Sequence, residues 1–176
     1  MARIPYFDPA GGVGPRAQQI LDHAPPWNLF RMAGHMGELV QSFAKMGYQI
    51  INYTKVDPFL REIAIIRVGV LSGSSYELSH HERAGRKLGM SEALIAAIHE
   101  GPDAKIFQDL QRKIMRFTDE VVLNVRPSDA TFNALAEHFS HQELAELTVT
   151  IGFYMLVSRF AETFEIEIDP PEPITE

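Results

Sequence analysis

Apolar residues recur at helical spacing along most of the chain. From Trp27 to Tyr48, Leu29, Met32, Met36, Leu39, Val40 and Phe43 fall three or four apart, which predicts one long amphipathic helix. Arg16 to His23 predicts a short helix before it, stopped by Pro25-Pro26. Asp57 is an N-cap residue followed by Pro58 at N1, so a helix opens there and runs from Phe59 to Leu71 until Ser72-Gly73-Ser74. The next helix starts at Ser74 or Ser75 and runs to Leu88, with Gly89 at C′. Ser91 caps a short helix that ends near Glu100-Gly101-Pro102. Ala104 to Leu123 is a further amphipathic run, Ser128 caps Asp129 to Phe139, and Ser140 with Glu143 forms a capping box for a last helix to about Phe164. Phe164-Glu165-Ile166-Glu167-Ile168 alternates like a short strand with no evident partner.

This pattern predicts an all-α protein of seven or eight helices, with one helical domain over residues 16–165. The flanks differ. Residues 1–15 carry three prolines and three glycines, and 170–176 read Pro-Pro-Glu-Pro-Ile-Thr-Glu, so an arm over 1–15 and a tail over 166–176 are expected. Gly11-Gly12-Val13-Gly14 lacks a preceding strand and a phosphate-binding lysine, and reads as part of the arm. The 176 residues suit one domain with a real core.

Composition narrows the function. A net charge of −7 argues against nucleic acid and anionic membranes as partners. No run approaches about 18 continuous apolar residues, and the first residues lack the apolar stretch of an export signal, so a cytoplasmic protein without a membrane span is expected. The chain has no cysteine, which removes disulfides, thiolate metal sites and thiol peroxidase chemistry.

The chemistry concentrates between Arg61 and Gly89. Glu77 and His81 stand i and i+4 and share a helix face. Glu62 interrupts an apolar run on the preceding helix, where a carboxylate is costly unless paired or neutral. A helical hairpin would bring Glu62 to the Glu77/His81 face, where burial and mutual repulsion couple the titrations. The same residues also suit plain structural ion pairs. His80 lies about 100° around the helix from His81, so the two are not expected to face one pocket centre, and one of them is expected at solvent or at a subunit contact.

Arg61-Glu62, the Ser72–Ser75 turn, Tyr76-Glu77, His81, Ala84 and Gly89 together resemble the carboxymuconolactone decarboxylase / alkylhydroperoxidase AhpD-like superfamily. The resemblance is firmest over residues 57–100, and a subgroup motif Tyr-Glu-Trp-x-x-His stands here with Leu78 in place of tryptophan. In the peroxidase branch the cysteines fall at the positions of Ser74 and Glu77, with a relay glutamate at that of Glu62. The decarboxylase branch has Glu-x-x-x-His, as Glu77 and His81 do here. The resemblance therefore implies an acid–base lyase on a small carboxylated lactone or keto acid, with Glu62, Glu77 and His81 catalytic and no cofactor. His81 donates a proton to the carbanion, Glu62 sets its tautomer and raises its pKa, and Glu77 relays a proton or positions substrate. Tyr76, Ser74 and Arg67 are the substrate-binding candidates, Tyr76 as a hydrogen-bond donor to an enolate oxygen. The substrate carboxylate needs a cation, for which Arg61, Arg67 and Arg83 are all available. The resemblance also implies self-association as a homotrimer or homohexamer. Two other readings stay open: a non-catalytic oligomer that binds a small molecule, and a metal site built on Glu77-x-x-His80 with Glu62. The second lacks a matching Glu-x-x-His, and no metal is expected.

Overall fold

The computed structural model describes residues 1–8 and 15–170, which form an all-helical domain. Residues 9–14 of the expected arm, with Gly11-Gly12-Val13-Gly14, and residues 171–176 of the expected tail lie outside the described residues. The helices are α1 (Pro15–His23), α2 (Asn28–Ala33), α3 (Leu39–Tyr53), α4 (Pro58–Ser72), α5 (Ser75–Lys87), α6 (Glu92–Glu100), α7 (Asp109–Asn124), α8 (Asp129–Ala136) and α9 (His141–Phe164).

The single helix expected from Trp27 to Tyr48 is broken. A 3₁₀ turn over Gly34–Met36 follows α2, and Gly37 then takes φ +58°, outside the helical region. Apolar periodicity carried through this break because residues on both sides pack on the same core: Met32, Val40 and Phe43 are all buried. α7 likewise starts at Asp109 rather than Ala104, where Gln108 and Gln111 form a reciprocal capping box.

α4 is the axis of the bundle. It packs against α5, α7 and α9, and every residue from Arg61 to Gly69 is buried. Asp57 starts it by accepting from Phe59 N at 3.0 Å and Leu60 N at 3.1 Å. Gly73, at φ +64°, ends it in the left-handed conformation that lets the chain reverse into α5. The two helices lie close: a Cβ on Gly69 would stand 3.1 Å from Leu78 Cδ2. This hairpin is what brings α4 and α5 side chains face to face.

α9 opens with the expected Ser140/Glu143 capping box and contributes Leu147, Ile151 and Val157 to the core. It is, among the described residues, long and apolar enough to cross a membrane, with mean hydropathy 1.3 over its best window, and half of that window is buried in the bundle. No strand forms over 164–168. α9 continues to Phe164, and the segment after it is held by the N-terminal arm instead: Arg3 N donates to Phe164 O at 2.9 Å, and Tyr6 Oη donates to Glu167 at 2.7 Å. Residues 1–8 of the arm thus lie on their own chain.

Gly73→Ala is expected to cost about 1 kcal/mol in urea unfolding. The penalty is backbone strain alone, because a Cβ there meets nothing within 4 Å.

Candidate active site

A cavity of about 540 Å³ opens between α1, α2, α3, α5 and α9. Its wall is mostly apolar and aromatic, with Trp27, Phe30, Phe43, Phe153 and Tyr154 among the lining residues. Its polar lining comes from His23 on α1, from Gln41, Lys45 and Asn52 on α3, and from the arc of α5 carrying Tyr76, Glu77, His80 and His81.

Glu62 and His81 meet across the α4–α5 hairpin. His81 Nδ1 lies 2.7 Å from Glu62 Oε2, and Glu62 is 2% exposed. A carboxylate at this distance accepts the Nδ1 proton, which leaves Nε2 as the nitrogen that exchanges protons. Nε2 lies 3.7 Å from Glu77 Oε2. Glu77 is also buried, and its Oε2 has no hydrogen-bond partner. The Tyr154 ring stands edge-on to the imidazole, with centroids 4.6 Å apart.

The titrations follow from this packing. The Glu77 carboxyl is pushed up to about 7: burial raises it most, the His81 charge opposes the rise, and the Glu62 charge adds to it. His81 moves up from the ordinary 6.5: burial pulls it down, but the charge and hydrogen bond of Glu62 and the charge of Glu77 outweigh that. Glu77 is therefore partly protonated near neutral pH.

A second constellation adjoins the first. Asp169, 8% exposed, sits on the segment after α9. It accepts hydrogen bonds from Tyr76 Oη and, at 3.0 Å, from His80 Nε2, while its other oxygen accepts Asn28 N at 2.8 Å. Trp27 packs on the His80 ring, with centroids 4.8 Å apart. Sequence reasoning missed Asp169. It lies in a stretch without periodicity, eighty-nine positions from its histidine. The expectation that one of His80 and His81 stands at solvent or at a subunit contact, apart from the pocket, is corrected: both line the cavity.

The remaining candidates lie elsewhere. Arg67 is held by Asp119, at 2.6 and 3.0 Å, and by the Ile98 carbonyl at 3.0 Å, away from the cavity wall. A charge buried in the bundle requires such a partner, and the pairing turns Arg67 from the substrate. Arg83 donates to Ser79 O, and buried Arg61 to Thr54 Oγ1. The one Lys or Arg in the described wall is Lys45 on α3, an exposed residue the sequence reading did not single out. Ser74 is fully buried, its hydroxyl unpartnered, and does not line the cavity. Tyr76 lines it, but its one proton goes to Asp169 and its oxygen accepts Leu29 N at 3.2 Å, so it has no proton left to donate to an enolate oxygen. Among the described residues, no group of three or more His, Asp or Glu is arranged to hold a metal ion.

Residues 37–120 match the model of the carboxymuconolactone decarboxylase family. No curated protein sequence matches the chain. Among solved structures, a peroxidase-related protein with an alkylhydroperoxidase AhpD core from Ralstonia eutropha is similar at TM-score 0.80 and 18% identity, over 96% of this chain and 92% of that one. A peroxidase-related protein from Silicibacter sp. is similar at TM-score 0.77 and 17% identity, over 95% and 90%. The debrominase Bmp8, solved with 2,3,4-tribromopyrrole, is similar at TM-score 0.70 and 15% identity, over 88% and 82%. These likenesses are of fold.

The folded chain holds the Glu77 proton more tightly than an unfolded chain, whose carboxyl keeps the ordinary 4.5. Stability therefore falls as pH rises from about 4.5 through 7. The raised His81 acts in the same sense, its share lost as pH rises through its folded value. Glu77→Gln removes the first contribution. The variant is expected to unfold at higher urea than the wild type at pH 8, by about 2 kcal/mol, and to differ little at pH 5.

Proposed function

We propose that this member of the carboxymuconolactone decarboxylase / AhpD-like superfamily is an acid–base lyase that decarboxylates a small carboxylated lactone or keto acid. The observation that carries this reading is the buried Glu77 oxygen, unpartnered and 3.7 Å from His81 Nε2 in the wall of an apolar cavity. A proton donor, its reservoir and its orienting carboxylate stand there in sequence, and the rest of the wall suits a small ring. Bmp8, solved with a brominated pyrrole, shares the fold and supports a substrate of that size. Peroxide reduction through thiols is not open to a chain without cysteine.

The reaction needs one proton. Lys45 at the mouth meets the anionic substrate, an attraction that matters in a chain of net charge −7. Inside, apolar walls strip water from the carboxylate, which favours the neutral product carbon dioxide. The carbon–carbon bond breaks, the electron pair stays behind as an enolate, and carbon dioxide leaves. Protonated His81 gives its Nε2 proton to the carbon, with Glu62 stabilising the imidazolium beforehand. Glu77 then returns its proton to Nε2, and solvent recharges Glu77. The balance is one carboxylate and one proton consumed for one carbon dioxide released.

Self-association as a homotrimer or homohexamer belongs to the same proposal. Val149 and Leu156 stand exposed two turns apart on one face of α9, with exposed Gly152 between them, and support it.

Carbon dioxide release from a panel of carboxylated lactones and β-keto acids tests the lyase reading. Glu77→Gln and His81→Ala are each expected to lower kcat at least about 100-fold. Lys45→Met is expected to raise KM about 10-fold with little change in kcat. No release from any compound, or release that survives both site variants, would sink the reading.

A further inference from the structure

The α5 arc of the cavity wall holds two adjacent histidines, and each is oriented by its own buried carboxylate. His81 is bonded through Nδ1 to Glu62 on α4. His80 is bonded through Nε2 to Asp169 on the segment after α9. The two imidazoles are therefore held by opposite nitrogens. With its Nε2 proton donated to Asp169, neutral His80 carries its lone pair on Nδ1, which has no hydrogen-bond partner among the described residues. The lyase reaction uses His81, Glu62 and Glu77, and leaves His80 and Asp169 without a task.

We propose that His80, oriented by Asp169, is a catalytic base in the same cavity, and that together with His81 it moves protons between carbons of an enolisable lactone or ketone. His80 Nδ1 removes a proton from the carbon next to the carbonyl. The carbon–hydrogen electron pair becomes a dienolate, and His81 Nε2 delivers a proton to the far end of that dienolate. The double bond shifts from the β,γ to the α,β position. His80 ends protonated and His81 neutral, and exchange with water restores both. No oxidant, reductant or second substrate is needed.

The surroundings of each ring suit the division. His80 is pushed below the ordinary histidine value by burial and by the Arg83 charge one turn along α5; Asp169 opposes this. His81 is moved the other way by Glu62 and Glu77. The groups facing His80 are Asp169 from the C-terminal segment, Arg83, His81 and Tyr76 from α5, and Trp27 ahead of α2. Between the lowered value of His80 and the raised value of His81, the pair is an unprotonated base beside a protonated acid, which is the separation a two-site proton shift requires.

This inference rests on the lyase reading only for the cavity and the role of His81, and its test uses a compound with no carboxylate to lose. The probe is a β,γ-unsaturated γ-lactone such as α-angelica lactone, incubated with the full chain in heavy water and followed by proton NMR. Its binding is read separately from the fluorescence of Trp27, the one tryptophan and a cavity residue. The wild type is expected to accelerate deuterium uptake and isomerisation at least about 100-fold over buffer. His80→Gln is expected to return the rate to near that of buffer. The wild-type rate should rise with pH through a midpoint below 6.5 and fall again above 6.5, the two limbs belonging to His80 and His81. Asp169→Asn keeps one of the two acceptor oxygens and removes the charge that holds His80 up. Its acid-side limb should move to lower pH, with a maximum about 10-fold lower. A purely structural tie would leave that limb in place. Failure of the lactone to bind, binding without exchange, full exchange in His80→Gln, or an unmoved limb in Asp169→Asn would each overturn the proposal. Exchange without carbon dioxide release from any acid would instead sink the lyase reading and leave this one standing. Release without exchange would do the reverse.

Discussion

Glu62 interrupts the most completely buried helix of the molecule, and a carboxylate in that position is tolerable only with a partner. His81 is that partner, and its distance of 2.7 Å fixes how α5 stands against α4. The close approach of the helices at Gly69 and the left-handed turn at Gly73 make the meeting geometrically possible. Once it is made, much of the site follows. The imidazole is turned so that Nε2 faces Glu77, Glu77 is left without a hydrogen bond, and its proton affinity climbs into the neutral range. A cluster with one satisfied contact and one unsatisfied oxygen is a poor device for stability and a good one for moving protons.

The second anchor comes from outside the family-matched stretch of residues 37–120. Asp169 ties the segment after α9 to Tyr76, to His80 and to the N-terminus of α2. The N-terminal arm holds that segment in turn, through Arg3 on Phe164 and Glu165 and through Tyr6 on Glu167. Both flanks therefore help build the site, and the Trp27 wall of the cavity belongs to the same assembly.

The sequence carried the fold well because the helices announce themselves locally. Asp57-Pro58, Gly73, Ser128 and Ser140 each mark a helix end through one or two hydrogen bonds or a backbone sign, and the structure has each of them. The break at Gly34–Gly37 was not legible, because apolar spacing reports which face is buried and not whether the backbone between is continuous. At the site, Glu62, Glu77 and His81 could be grouped from spacing because they occupy two consecutive helices. Arg67 could not be assigned that way. Its carboxylate, Asp119, lies fifty-two residues on, in α7. Asp169 and Lys45 were invisible for the same reason, since neither has a local pattern and each is defined by tertiary placement alone.

His80 and His81 are identical side chains one peptide unit apart. What tells them apart is which carboxylate each one meets, one from the hairpin behind α5 and one from the segment that folds over it. The division of labour is thus written in the partners and not in the histidines. A descendant of this protein could exchange acid for base, or abolish the distinction, by relocating a single carboxylate on another element while the His-His pair stayed untouched. Alignments that track only the α5 motif would register no change between chains whose chemistry had diverged.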